Sequence, residues 1–106
     1  MMLLTQELRR QFPKIDATEE TPLAEKKVIA KFFTPDSNWT WYAVKFDGED
    51  LFWGLVDGFE KEWGYFSLRE LASARGPLRL PIERDLYFGQ PLIKEVRELA
   101  GAAVCQ

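Results

Sequence analysis

Residues 27–66, KVIAKFFTPDSNWTWYAVKFDGEDLFWGLVDGFEKEWGYF, carry 12 of the chain's 15 aromatic residues. Burial of apolar area drives folding, so this stretch is the expected centre of the core. Its internal pattern is that of strands. Residues 28–33 are β-branched or aromatic apart from Ala30 and Lys31. Thr34-Pro35-Asp36-Ser37-Asn38 then gathers residues that bend or cap the backbone locally. Residues 39–46 alternate, with Trp39, Trp41 and Ala43 on one face and Thr40, Tyr42, Val44 and Phe46 on the other. Asp47-Gly48 offers the positive φ angles of a tight hairpin. A third strand over 51–56 opposes Leu51, Trp53 and Leu55 to Phe52, Gly54 and Val56. After the Asp57-Gly58 turn, residues 59–66 return as a fourth strand, in which Gly64 marks a bulge or a close contact. Four strands with short links predict an antiparallel meander, and bulky apolar groups on both faces predict covers on both.

The flanks supply those covers. Leu4, Leu8 and Phe12 recur every fourth residue, with Thr5 as N-cap and Pro13 as stop, so a short helix is expected near 5–12. Residues 13–26 are polar, contain Pro13 and Pro22, and read as an exposed connection. Ser67-Leu68-Arg69-Glu70 has capping-box spacing, with Phe66 and Leu71 placed as a hydrophobic staple, and predicts a helix over 67–75 ended by Gly76-Pro77. Residues 77–88 alternate apolar with charged groups around two prolines and predict an extended or irregular segment lying across the sheet. Pro91 opens a last helix over 91–100, whose apolar face is Leu92, Val96, Leu99, Ala100 and Ala103.

A length of 106 residues points to one domain, and a domain of that size buries roughly 65% of its unfolded surface. The fold class expected is therefore α+β: a single domain over 1–106, a four-stranded antiparallel meander and about three short helices packed on it. The net charge of −3 argues against broad electrostatic capture of nucleic acid or of an anionic membrane. Cys105 is the sole cysteine and has no histidine anywhere to activate it, so no internal disulfide forms and a reducing compartment is expected. The apolar start of MMLLTQELRR is four residues long, too short for a signal peptide, and no run approaches the roughly 20 apolar residues of a membrane helix. These features predict a cytoplasmic protein.

Three stretches, FFTPDSNWTWY (32–42), EKEWGYFSLREL (60–71) and GPLRLPIERDLYF (76–88), resemble a family of small bacterial proteins known as domain of unknown function 2958. The likeness runs from about residue 3 to about residue 96. Lys61 stands where the family commonly has an acidic residue. The resemblance implies a bacterial protein, often carried on plasmids and integrating conjugative elements beside other accessory genes. It implies no established activity, and it assigns no catalytic residue, cofactor or metal.

Three constellations invite chemistry. Trp39, Trp41 and Trp53 have the character of a base-stacking platform, but their neighbours are Asp47, Glu49, Asp50 and Asp57 rather than lysine and arginine. Rings in such clusters more often fill cores, and outside cores tryptophan is a common interface anchor. Carboxylates are plentiful, yet neither EF-hand spacing nor HExxH is present, and most acids fall in expected turns. The third is Glu83-Arg84-Asp85. In an extended segment Glu83 and Asp85 share a face, and Arg84 turns away, with Asp36 as one acid it can reach. A functional reading makes this segment and the TPDSN turn two walls of one recognition surface, comprising Asp36, Asn38, Trp39, Trp41, Trp53, Glu83, Arg84 and Asp85. The sequence has no P-loop, GxGxxG, GxSxG or CxxC pair. The expectation is thus a protein-binding module, with a nucleic-acid binder as the alternative and a carboxylate-based metal enzyme as a further one.

Overall fold

The structure, a computed structural model, describes residues 2–15 and 21–99. Ala100, Ala103, Cys105 and part of the expected 13–26 connection lie outside the described residues. The elements in order are helix α1 (Gln6–Gln11), strands β1 (Ala30–Phe33), β2 (Thr40–Phe46), β3 (Leu51–Asp57) and β4 (Lys61–Ser67), helix α2 (Leu68–Ser73) and strand β5 (Glu83–Arg84). Single 3₁₀ turns at Leu23–Glu25 and Ile93–Glu95 complete the order.

β1 to β4 form the expected antiparallel meander, but the sheet has five strands, in the order β4-β3-β2-β1-β5. The fifth comes from the segment expected to lie across the sheet. Glu83 and Arg84 instead pair at its edge, opposite Phe33 and Phe32, and the Asp85 N–H donates to the Lys31 carbonyl at 2.9 Å. Without this pairing the outer edge of β1 would leave backbone groups unsatisfied beside the fully buried Phe32.

Both faces are covered. One cluster joins Phe32, Ala43, Phe46, Phe52 and Phe66 to Leu3, Leu4 and Phe12 from the N-terminal arm and to Leu71 of α2. The other joins Tyr42, Val44 and Leu55 to Val28 and to Ile93, Val96 and Leu99. Phe46 is on the opposite face from the one alternation gives it. The register of β2 on β3 shifts between Ala43 and Lys45, leaving Val44 as an extra residue. This β-bulge inverts the alternation beyond it, so Phe46 joins the face of Ala43.

The bulge therefore belongs to β2, not to Gly64. β4 runs in unbroken register along β3, and a Cβ on Gly64 would meet nothing within 4 Å. The close approach belongs to Gly54, whose Cβ would lie 1.8 Å from the Tyr42 carbonyl oxygen.

The caps follow sequence logic with one addition. Thr5 Oγ1 accepts from the Leu8 N–H at 3.1 Å, and Ser67 Oγ accepts from the Glu70 N–H at 3.2 Å. At the start of α2 the second acceptor is Asp50. It takes the Ser67 hydroxyl at 2.6 Å and the Arg69 N–H at 2.8 Å, which ties the helix to the β2–β3 hairpin. The Ser67 bond first, then the Arg69 N–H, holds the Asp50 carboxyl below the usual carboxylate range. α2 stops at Ser73, two residues early, because Arg75 is taken into a bridge with Pro81.

The last helix also starts late. The Pro91 carbonyl accepts from the Val28 N–H at 2.8 Å, and the Ile93 N–H donates to the Lys26 carbonyl at 2.8 Å. These bonds commit residues 91–93 to an antiparallel bridge, so among the described residues helix begins only at Arg97, after the 3₁₀ turn.

Tyr42 is 2% exposed. Burial, and then the charges of Glu98 and Asp57, push its hydroxyl from 10.0 up to about 12. In a Tyr65→Phe/Tyr87→Phe background, the remaining phenol is expected to half-ionise near pH 12 in an ultraviolet titration. The folded state holds this proton more tightly than the unfolded chain. The stability linked to Tyr42 is therefore whole below pH 10 and is lost as pH rises through about 12. A midpoint near 10 would mean that the ring is open to water.

Candidate functional site

The 34–39 turn and the 83–87 segment face each other across a hollow of about 490 Å³. Local bonds build the first wall. The Thr34 N–H donates to the Trp39 carbonyl at 3.1 Å, and Thr34 Oγ1 accepts from the Trp39 N–H at 3.1 Å. The second wall is β5 and the turn after it, where Asp85 Oδ1 accepts from the Tyr87 N–H at 3.0 Å. β1 forms the floor through Lys31 and Phe33.

Of the residues singled out from sequence, Asn38, Trp39, Glu83, Arg84 and Asp85 line this hollow together. Trp39 is half-buried and forms a ridge. Its ring packs on Gly58, where a Cβ would come within 2.3 Å of it. It also stacks on Trp41 at 5.9 Å and meets Phe59 edge-on at 5.2 Å.

Asp36 sits behind the wall. Its Oδ2 accepts from the Leu78 N–H at 2.7 Å, and its Oδ1 is buried with no partner among the described residues. A Cβ on Gly76 would lie 1.7 Å from that Oδ1, so the glycine makes room for the carboxylate. Asp36 thus pins the 76–80 turn, where Arg79 adopts φ 64, and that turn delivers β5 to the sheet edge. The acid considered for Arg84 is spent on backbone. The Arg84 guanidinium donates to the Leu3 carbonyl at 3.0 Å, fastening the N-terminal arm.

Trp41 packs against the Phe52 cluster and lines a separate shallow depression beside Gly76 and Ile82. Trp53 belongs to the opposite face, stacked on Trp63 at 5.2 Å with Lys45 over its ring. Neither reaches the hollow.

Sequence reasoning missed Tyr87, whose ring is 95% exposed, and Leu86 beside it. Their only local signal was an aromatic residue just after Glu83-Arg84-Asp85. It missed Phe59 as well, also 95% exposed, on the far side of the Trp39 ridge beside Glu60 and Glu62.

The hollow's lining balances Glu83 and Asp85 against Lys31 and Arg84. The Arg84 guanidinium reaches the Leu3 carbonyl, and the lysine is drawn inward. Lys31 Nζ lies over the rings of Tyr42 and Phe88 at 5.8 and 5.7 Å, and 3.9 Å from Asp85 Oδ2. Asp47, away from the hollow, serves the β2–β3 turn. Asp47 Oδ1 accepts from the N–H groups of Glu49, Asp50 and Leu51, and these bonds, Glu49's foremost, lower its pKa. Among the described residues no three metal-ligating side chains converge, and no helix is long and apolar enough to cross a membrane.

A twisted antiparallel sheet, covered on both faces and carrying a two-walled hollow near one edge, defines a small α+β domain. The family model described as protein of unknown function (DUF2958) matches residues 3–101, nearly the whole chain, and the chain belongs to that family. No curated protein and no solved structure matches it.

Proposed function

We propose that this chain is a protein-binding accessory module of a bacterial mobile element, acting in the cytoplasm. It seats an extended segment of a partner protein in the hollow between Trp39 and Tyr87. The observation that carries the reading is the bracketing of one hollow by a ridge tryptophan and a bare tyrosine from segments far apart in sequence. Aromatic anchors of this kind dominate binding energy at protein interfaces. Glu83 and Asp85 favour a partner segment with an apolar anchor beside a basic residue.

The nucleic-acid alternative required bare indoles beside cationic groups. Trp39, Trp41, Trp53 and Trp63 are all half-buried, and the acids around Trp39 are Glu60, Glu62, Glu83 and Asp85. No observation favours the carboxylate-enzyme alternative: Asp47 and Asp50 are engaged by backbone N–H groups, and among the described residues no three metal-ligating side chains converge.

The test is cross-linked capture from the native host, comparing wild type with Tyr87→Ala and Trp39→Ala. Tyr87 is so exposed that its loss leaves the fold intact, within about 0.5 kcal/mol. Capture of one recurrent protein is expected to fall at least about tenfold in each variant. Recovery of no protein, or equal recovery with Tyr87→Ala, would overturn the proposal.

A further inference from the structure

We infer that the chain pairs with a second copy of itself through the free edge of β4, antiparallel, with Gly64 on the two-fold axis. The hydrogen-bond phase shows which groups are free. The Gly58 N–H donates to the Glu60 carbonyl at 3.2 Å, and the Leu68 N–H donates to the Asp50 carbonyl at 2.7 Å. In the unbroken antiparallel register between these two bonds, the residues that bond inward to β3 are Glu62, Gly64 and Phe66. The backbone groups of Lys61, Trp63 and Tyr65 therefore point away from the sheet, while the Ser67 carbonyl, at the N-cap of α2, is taken by the helix. Among the described residues, no further strand of the sheet lies beyond β4.

An edge of seven residues with outward N–H and C=O groups is a template for another strand. At the other side of the sheet β1 is capped by β5. Among the described strands only β4 keeps a long open edge.

The side chains say which strand fits. In a two-fold pairing centred on Gly64, Trp63 of one copy bonds across to Tyr65 of the other, and Lys61 comes opposite Ser67. The 61% exposed Tyr65 gains an aromatic partner, the cross-strand pairing that sheets favour. The glycines meet at the closely spaced position on the axis, where a Cβ has open space around it. Charge selects this register over those centred on Glu62 and Trp63. Centring on Glu62 sets two carboxylates directly opposite each other. Centring on Trp63 sets them diagonally on one face. Centring on Gly64 separates them by four residues along the strand. The hollow's β5 wall lies at the opposite edge of the sheet, so pairing leaves one open hollow on each copy.

The test is sedimentation equilibrium of the full chain, wild type against two variants. Tyr65→Pro removes an outward N–H and no β3–β4 bond. Gly64→Lys sets like charges at the axis and has room for its side chain. Circular dichroism verifies that each variant folds. Wild type is expected to reach twice 12.3 kDa, with both variants shifting the dimer midpoint to at least about tenfold higher concentration. A wild type that stays at 12.3 kDa, or a dimer that neither folded variant weakens, would refute the inference.

Discussion

Replacing Gly54 by alanine is expected to leave the chain largely unfolded. Gly54 sits in the middle of β3, between Ala43 of β2 and Gly64 of β4. An added Cβ would stand 1.8 Å from the Tyr42 carbonyl oxygen and 3.2 Å from the Ala43 Cα. Both atoms are backbone in a paired strand, so no rotamer change relieves the clash. The strands must separate, and the ladder joining them crosses the centre of both clusters. A loss above about 4 kcal/mol is expected, comparable with the whole stability of a small domain. Gly64, its cross-strand partner, is the control. Gly64→Ala meets nothing and trades a flexible residue for a stiffer one, so a gain of about 0.5–1 kcal/mol is expected. Urea unfolding followed by circular dichroism measures both. Equal midpoints for the two variants would show that the β2–β3 approach is looser than described.

Phe52→Ala is expected to cost about 3–5 kcal/mol. Phe52 is fully buried, and its ring meets Phe46 at 4.6 Å, Phe66 at 5.4 Å, and Phe12 and Phe32 each at 5.5 Å. Those neighbours come from the N-terminal arm and from β1, β2 and β4. Truncation opens a cavity that four elements would have to close together. Phe59→Ala, at 95% exposure, is expected to stay within about 0.5 kcal/mol of wild type. The same urea series reads both. A Phe52→Ala loss as small as that of Phe59→Ala would mean that the Phe52 cluster does not carry the fold.

These contrasts mark how far local pattern reaches. Phe52 and Phe59 lie in one aromatic run, and Gly54 and Gly64 are both strand glycines. The period-two pattern assigned Phe52 and Val56 to one face and Trp53 and Leu55 to the other, and the two clusters divide in that way. It missed Phe46, because a β-bulge is an event between two strands and leaves little mark within one. The N-caps Thr5 and Ser67 were legible because a cap binds within three residues of itself. Asp50 as a second acceptor for α2 was not, because it arrives from 19 residues away.

The hollow divides along the same line. The TPDSN turn and the Glu83-Arg84-Asp85 segment are both legible in the sequence, since turn formers and clustered charges show locally. Trp53 was grouped with Trp39 by residue type, and the sheet sends it to the other face. Asp36 is one acid an extended Arg84 could reach, yet each binds backbone.

Composition and periodicity were enough for the class of fold, the meander and the starts of α1 and α2, and three local motifs were enough for the family resemblance. Those properties come from contacts within a few residues, which a linear pattern records. Folding alone decided the fifth strand, the flipped face of Phe46 and which rings stand bare at the hollow. Each of these depends on how one strand or segment meets another, and that meeting exists only once the sheet has closed.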